Sequence, residues 1–245
     1  MKPRRVKKLD PGAPLVENAA RIVMVRLDEM RSFAPVALEA ARSREQHDMR
    51  IAAKRLRYVL ETTGFCFGKP AQTAARRARD LQDLLGELHD CDVMLPRVEG
   101  HLAELRSVDA RAVRAKADDA PDLDPRLAAR ARHRTAYRGL EVLAVYLEAR
   151  RHLLFDRFRT FWAGQEQAGT WDRLERAVSR TLREARERRD RAEMVERTRR
   201  ELEKAERDQL EAAERVRRST AALAAAREQV DGNGEPAAAS PTGSS

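Results

Sequence analysis

The stretch HDMRIAAKRLRYVLE at residues 47–61 determines how the first part of the chain folds. On an α-helix, at about 100° per residue, one arc carries only apolar side chains. They are Met49, Ala52, Ala53, Leu56, Val59 and Leu60. The opposite arc carries His47, Arg50, Lys54 and Arg57, within about 80° of one another and along about 15 Å of helix. The pattern predicts a helix with one face in a protein core and a row of nitrogen-bearing side chains on the other face.

This row of cations destabilises the isolated helix, because like charges one turn apart repel. An anion that docks along the row relieves the repulsion. Arginine offers bidentate hydrogen bonds to phosphate oxygens, lysine a point charge, and histidine a donor that strengthens on protonation. The row therefore favours a ligand with several consecutive phosphates, and a solvated basic face is the alternative interpretation.

The composition favours an all-helical protein with an anionic partner. The 245 residues contain 49 Lys and Arg against 40 Asp and Glu, a net charge of +9, and aromatic residues make up 4%. The 11 Gly and 10 Pro are too few for the turns of an all-β protein. Two cysteines exclude a disulfide scaffold, and no apolar run reaches the roughly 18 residues that a membrane span needs. We expect a cytoplasmic protein that makes no contact with a membrane.

Apolar spacings of three and four predict a helical bundle over residues 15–165. A disordered basic arm is expected before it, at 1–14, and a disordered tail of small polar residues at 231–245. Helices are predicted over 15–40, 45–63, 71–90, from 92 with a break near Pro96, 126–148 and 150–163, with a polar linker at 109–125.

Residues 171–230 contain no Gly or Pro and predict a long charged helix. Its second half has a heptad in which Val195, Leu202, Gln209, Val216, Leu223 and Val230 lie seven apart. Small side chains follow three residues after each of the first five, at Thr198, Ala205, Ala212, Ser219 and Ala226. This stripe favours a coiled coil and hence a homodimer through residues 195–230. A single helix held by ion pairs between neighbouring turns is the alternative.

Two motifs resemble the CHAD family of histidine-containing α-helical domains. His47-x-x-Arg50-Ile51-x-x-Lys54-Arg55-Leu56-Arg57 is similar to the signature helix of that family. The Leu-Gly-x-x-x-Asp segment that follows this helix in the family is similar to Leu81-Gln82-Asp83-Leu84-Leu85-Gly86-Glu87-Leu88-His89-Asp90-Cys91-Asp92-Val93. A weaker third match is Ala149-x-Arg151-His152. The resemblance covers about residues 15–165. It includes one clear His-x-x-Arg copy, where a full domain has two related four-helix halves.

The resemblance implies a helical bundle that binds inorganic polyphosphate in a basic groove, with no catalytic centre and no cofactor. Carried onto this chain, the anion contacts are His47, Arg50, Lys54 and Arg57, with Arg55 about 80° off the row. Candidates for completing the groove are Arg21, Arg26, Arg76, Arg79, Arg134, Arg138 and Arg151. The missing second copy implies either an open half-domain or two chains that close one groove together.

Two other functions fit parts of the sequence. Nucleic-acid binding agrees with the charge, but apart from Tyr58 the basic segments lack aromatic side chains on which bases could stack. The pairs His47-Asp48 and His89-Asp90, together with Asp156, resemble the ligands of HD-type metal-dependent phosphohydrolases. Because a row of cations repels a metal ion, we expect no metal site and no enzymatic activity.

Overall fold

The computed structural model describes residues 2–116 and 120–232, and every regular element within them is helical. The helices are α1 (Leu15–Arg31), α2 (Ala34–Ala37), α3 (Ser43–Thr63), α4 (Lys69–Ala115), α5 (Pro125–Ala129), α6 (Arg134–Gln167) and α7 (Thr170–Gly232), with a 3₁₀ turn at Gly64–Cys66. The all-α prediction, a helical bundle followed by a long C-terminal helix, is confirmed. The chain divides into two units, residues 1–186 and 187–245.

The first unit is a bundle around one apolar core. Helix α3 packs against α1 and α4, and α4 packs in turn against α6. The apolar arc predicted for α3 lies in this core, with Met49, Leu56 and Leu60 buried. Burying each such side chain contributes about 1.5–3 kcal/mol relative to leaving it exposed. This burial fixes which side of α3 turns outward, and so it places the row of cations on the surface.

Helix α4 runs without interruption through Pro96, so the predicted break near that residue is wrong. A proline inside a helix removes one backbone donor and crowds the preceding turn. The side chains on both sides of it nevertheless keep one buried face, with Leu88 and Cys91 before Pro96 and Val98 after it. The first residues of the predicted linker at 109–125 also belong to α4. The helix predicted at 126–148 is divided between α5 and α6, and α6 continues through the helix predicted at 150–163, while residues 15–40 divide into α1 and α2.

The first turns of α7 belong to the bundle, which therefore extends beyond the predicted boundary at residue 165. Trp171, Leu174 and Val178 are buried in the core. The Trp171 ring stacks on Trp162 of α6, with 6.0 Å between the ring centroids. Gly169, at φ +61°, makes the sharp connection from α6 to α7 in a conformation that favours glycine.

Residues 2–14 lie outside any helix but rest against α1. The backbone N–H of Arg4 donates to Glu29 Oε1 at 3.0 Å, and the Arg4 guanidinium contacts Asp28. An arm held in this way differs from the disordered arm expected from its composition, because carboxylates on α1 attract it. Of the tail expected at 231–245, residues 231 and 232 end α7, and the remainder lies outside the described residues.

The second unit begins at residue 187 and is helical through Gly232, with side chains described through Arg227. Ion pairs one turn apart run along it, including Arg197–Glu201 at 3.0 Å and Arg199–Glu203 at 2.9 Å. Its side chains from 191 to 227 are all exposed, and these include the apolar members of the heptad. Over the described parts of the chain, no helix has the length and apolarity to cross a membrane.

Candidate functional site

The antiparallel packing of α3 against α4 brings two rows of polar side chains together. His47 lies beside His89, Arg50 contacts Gly86, and Arg57 donates to Gln82. Residue numbers that rise along α3 thus meet residue numbers that fall along α4. We call this surface the basic face. It is formed by His47, Arg50, Lys54 and Arg57 of α3 with Arg79, Gln82, Gly86 and His89 of α4.

Two histidines occupy one end of the basic face. The rings of His47 and His89 have centroids 4.2 Å apart and are inclined by 40°. His47 Nδ1 is buried and has no hydrogen-bond partner among the described residues. Burial lowers the pKa of His47 from its ordinary 6.5, with His89 and Arg50 acting in the same direction and Asp48 against them. His47 is therefore neutral at pH 7 when no anion is bound, and a nearby anion favours its protonation.

Arg50 is the central cation of the basic face, and Gly86 of α4 makes room for it. A Cβ atom built on Gly86 would lie 3.3 Å from Arg50 Nε, which is closer than most such contacts. Arg50 Nε is buried, and in the described chain it has neither a hydrogen bond nor a carboxylate partner. A buried donor without a partner is costly and suggests an ion or molecule that completes the site.

Replacing Gly86 by valine is expected to displace the Arg50 guanidinium and to weaken anion binding. The loss of one hydrogen bond to a charged group is about 1.5–3 kcal/mol, roughly ten- to a hundredfold in affinity. Gly100→Val is the matched control, since Gly100 lies on the same helix and no atom comes within 4 Å of its Cβ position. Titration of both variants with long-chain polyphosphate measures the effect. Equal affinities would show that Arg50 does not need the space at Gly86.

Lys54 and Arg57 share the ring of Tyr58 at the middle of the basic face. Lys54 Nζ lies 5.8 Å and Arg57 Cζ 4.7 Å from the ring centroid. Such a contact contributes about 0.5–1 kcal/mol at an exposed site, which leaves the Lys54 charge available to a stronger partner. Lys54 is exposed and has no ion pair with any described residue.

The other end of the basic face is partly neutralised by Glu61. Arg57 Nε lies 3.3 Å from Glu61 Oε1, and Arg79 donates to the same oxygen at 2.6 Å. Arg57 also donates to Gln82 Oε1 at 3.2 Å. An anion has to compete with Glu61 here, so the basic face attracts anions most strongly from His47 to Lys54.

Two of the predicted arginines serve the core instead of the basic face. The carboxylate of Glu29 is fully buried and accepts from Arg26 at 2.5 Å and from Arg55 at 3.1 Å, besides the backbone of Arg4. A buried carboxylate needs such partners, since an unpaired charge in the interior is very costly. Assigning Arg26 and Arg55 to an anion is therefore at odds with the structure, in which both neutralise Glu29: Arg26 from within α1, and Arg55 from α3.

Arg21 and Arg151 are likewise engaged within the protein. The Arg21 guanidinium donates to the carbonyl of Lys8 and so fastens the N-terminal arm. Arg151 of α6 donates to Asp92 at 2.5 Å and reaches Gln46 at 3.4 Å, which links α6 to α4 and to the start of α3. Both guanidinium groups therefore have partners within the protein.

Arg134 and Arg138, at the start of α6, lie far from the basic face. The first turns of α6 pack beside residues 105–109 of α4, where the Tyr137 hydroxyl approaches the Leu105 carbonyl at 3.4 Å. That position is sixteen residues, or about 24 Å, along α4 from His89. Arg76, by contrast, is exposed on α4 within one turn of Arg79 and has no partner among the described residues.

Sequence reasoning missed the contribution of α4, namely His89, Gln82 and Gly86. Their spacing of three and four residues places them on one side of a helix, which was a usable signal. Two of the ligands required by the HD-type alternative, His47 and His89, do lie side by side. Within residues 2–116 and 120–232, however, no three His, Cys, Asp or Glu side chains are grouped so as to hold a metal ion.

Residues 4–99 of the chain match the family model of the CHAD domain. The matched segment begins in the N-terminal arm and ends within α4, and it contains every residue of the basic face. No curated protein and no solved structure is similar enough to this chain to count as a match.

Proposed function

Because residues 4–99 match the CHAD domain, we propose that this chain is a cytoplasmic protein that binds inorganic polyphosphate on the basic face without cleaving it. The observation that carries this proposal is the Arg50 guanidinium, whose buried Nε has no partner in the described chain. His47 and Lys54 lie next to it, and neither forms an ion pair with a described residue.

A repeating polyanion suits this arrangement better than a single phosphate does. His47, Arg50 and Lys54 follow one another at about one turn of α3, or roughly 5 Å. A single phosphate group neutralises one of these side chains and leaves the mutual repulsion of the others in place. A chain of phosphates reaches all three at once, so that each further contact adds affinity without a new association step.

Nucleic-acid binding, the second candidate, lacks a stacking surface on the basic face. The aromatic side chain beside the basic face is Tyr58. It is 47% exposed, but Lys54 and Arg57 lie over its ring. Single-stranded nucleic acids gain about 1–3 kcal/mol per base stacked on an aromatic side chain. With the ring already engaged by cations, we expect phosphate contacts alone, which favours polyphosphate over DNA and RNA.

Competition binding tests the proposed function. Labelled long-chain polyphosphate is titrated with the full chain over a salt series, then challenged with duplex DNA and with RNA at equal phosphate concentration. We expect binding that weakens steadily with salt, by analogy with counterion release from nucleic acids, and poor displacement by either competitor. Released orthophosphate is measured in parallel and is expected to be absent. Failure to bind at low salt, or equal displacement by DNA, would overturn the proposal.

His47 makes polyphosphate binding dependent on pH. Since burial lowers the pKa of His47 below 6.5, this side chain is neutral in the empty protein at about pH 7.5. A bound polyanion raises that pKa again, so binding takes up a proton as the pH falls. Affinity is therefore expected to rise between about pH 7.5 and pH 5.5. Without the ligand, the same lowered pKa makes the fold lose stability as the pH falls below 6.5.

The variant His47→Gln is expected to flatten this pH profile. His101→Gln is the matched control, because the His101 side chain is 57% exposed on α4 and lies apart from the basic face. Affinity is measured at fixed ionic strength across the pH range. A rise of the same size in the His47 variant would contradict the role given to His47.

A further inference from the structure

The second unit exposes an apolar row for which the described chain offers no cover. We call it the seam: Val195, Leu202, Gln209, Val216 and Leu223 at the first heptad position, with Thr198, Ala205, Ala212, Ser219 and Ala226 at the fourth. The large apolar members, Val195, Leu202, Val216 and Leu223, are between 59% and 66% exposed. A helix that is otherwise charged and carries one such row is typical of a coiled-coil strand.

The ion pairs of this helix leave the seam accessible. Arg197–Glu201, Arg199–Glu203, Arg200–Glu196 and Arg218–Glu214 join side chains on the flanks and on the outer side. None of the paired residues belongs to the seam. These pairs support a helix by about 0.2–0.5 kcal/mol each, so they explain why the segment is helical but not why its apolar residues lie in one row.

We propose that the seam pairs with the same seam of a second copy of this chain, antiparallel to it. The two-fold axis lies midway between residues 210 and 211. In this register Val195 faces Ala226 of the second copy, Leu202 faces Ser219, Gln209 faces Ala212, Val216 faces Ala205, and Leu223 faces Thr198. Every layer therefore combines one larger and one small side chain, and the two helices stay at a uniform, short distance.

A parallel pairing fits the same residues poorly. Its layers would set identical residues against each other, so that Leu202 meets Leu202 in one layer and Ala205 meets Ala205 in the next. The alternation of wide and narrow layers prevents continuous packing, and the gaps at the alanine layers weaken the dispersion attraction between the helices. Side-chain size thus favours the antiparallel pair.

Charge on the flanks selects the same orientation. In the antiparallel pair Asp208 faces Arg215 of the second copy, and symmetry repeats the contact. Neither residue has an ion pair within the described chain, so both charges are available. In a parallel pair Glu201 faces Glu206 of the other chain twice, and like charges in such flanking positions destabilise the pairing.

The mass of the full chain in solution tests the pairing. Light scattering at tens of micromolar is expected to give twice the 27.8 kDa of one chain. The double variant Leu202→Lys and Leu223→Lys is expected to give the single mass with unchanged helix content, because both side chains are exposed in one copy. Leu210→Lys is the control, since Leu210 is 66% exposed on the same helix but off the seam, and this variant should keep the double mass. A native chain of single mass, or a double variant that keeps the double mass, would overturn the proposal.

Disulfide trapping tests the orientation. Leu202→Cys and Ser219→Cys are made separately in a chain whose Cys66 and Cys91 are replaced by serine. The antiparallel register predicts a cross-link only when the two variants are mixed, because two copies of residue 202 are about 25 Å apart. Cross-linking of either variant with itself would overturn the antiparallel orientation.

Discussion

A chain carrying Arg50→Ala, Lys54→Ala and Arg57→Ala together is expected to lose several kcal/mol of polyphosphate affinity while keeping its fold. Each hydrogen bond to a charged group is worth about 1.5–3 kcal/mol. Arg57 contributes least, because Glu61 already holds it at 3.3 Å. Removing two full hydrogen bonds of this kind costs about 3–6 kcal/mol, or roughly two to four orders of magnitude in the dissociation constant. Binding isotherms at one fixed salt concentration measure the loss.

The control removes the same number of positive charges from another place. Arg197→Ala, Arg200→Ala and Arg207→Ala together change exposed side chains on the outer positions of the second unit. We expect this control to keep most of the affinity and the steep salt dependence, whereas the variant of the basic face loses both. A control that weakens binding as much as the test variant would mean that net charge, and not the basic face, holds the anion.

Trp171→Ala is expected to lower the free energy of unfolding by about 3–5 kcal/mol, the usual cost of truncating a large buried aromatic side chain. Trp171 is 1% exposed and packs against Trp162. Its indole Nε1 makes no hydrogen bond in the described chain, so the cost comes from lost packing and the cavity left behind. Denaturant unfolding followed by circular dichroism gives the difference.

Leu210→Ala is the control for this effect, because it truncates an apolar side chain of the same helix that is 66% exposed. Its unfolding free energy should stay within about 0.5 kcal/mol of the native value. A Trp171 variant as stable as this control would show that the bundle does not include the first turns of α7.

The amphipathic pattern of α3 could be predicted from the sequence because it is a local property. Met49, Leu56 and Leu60 recur at the helical period, and any helix with that pattern buries them on one side. The extent of the bundle could not be predicted in the same way. Trp171 and Leu174 stand among charged residues in a segment without breaks, and their burial depends on helices far away in the chain.

The course of α4 shows how packing overrides a local signal. Pro96 predicts a break, since its ring removes a hydrogen bond of the helix. Leu88 and Val98, on either side of it, are nevertheless buried against the same core. The free energy gained by burying both side chains exceeds the local cost of about 3 kcal/mol. This gain cannot be predicted from the neighbouring residues alone.

The spacing of residues within single helices is enough to predict the helical class, the row of cations on α3 and the heptad of α7. Which arginines are available to a ligand depends instead on how the helices pack together. Arg55 and Arg50 lie five residues apart on α3, yet Glu29 of α1 neutralises Arg55, whereas Arg50 meets Gly86 of α4 and no carboxylate in the described chain. The difference is physical, because the charge of a side chain is compensated by whatever group another helix brings within a few ångströms of it.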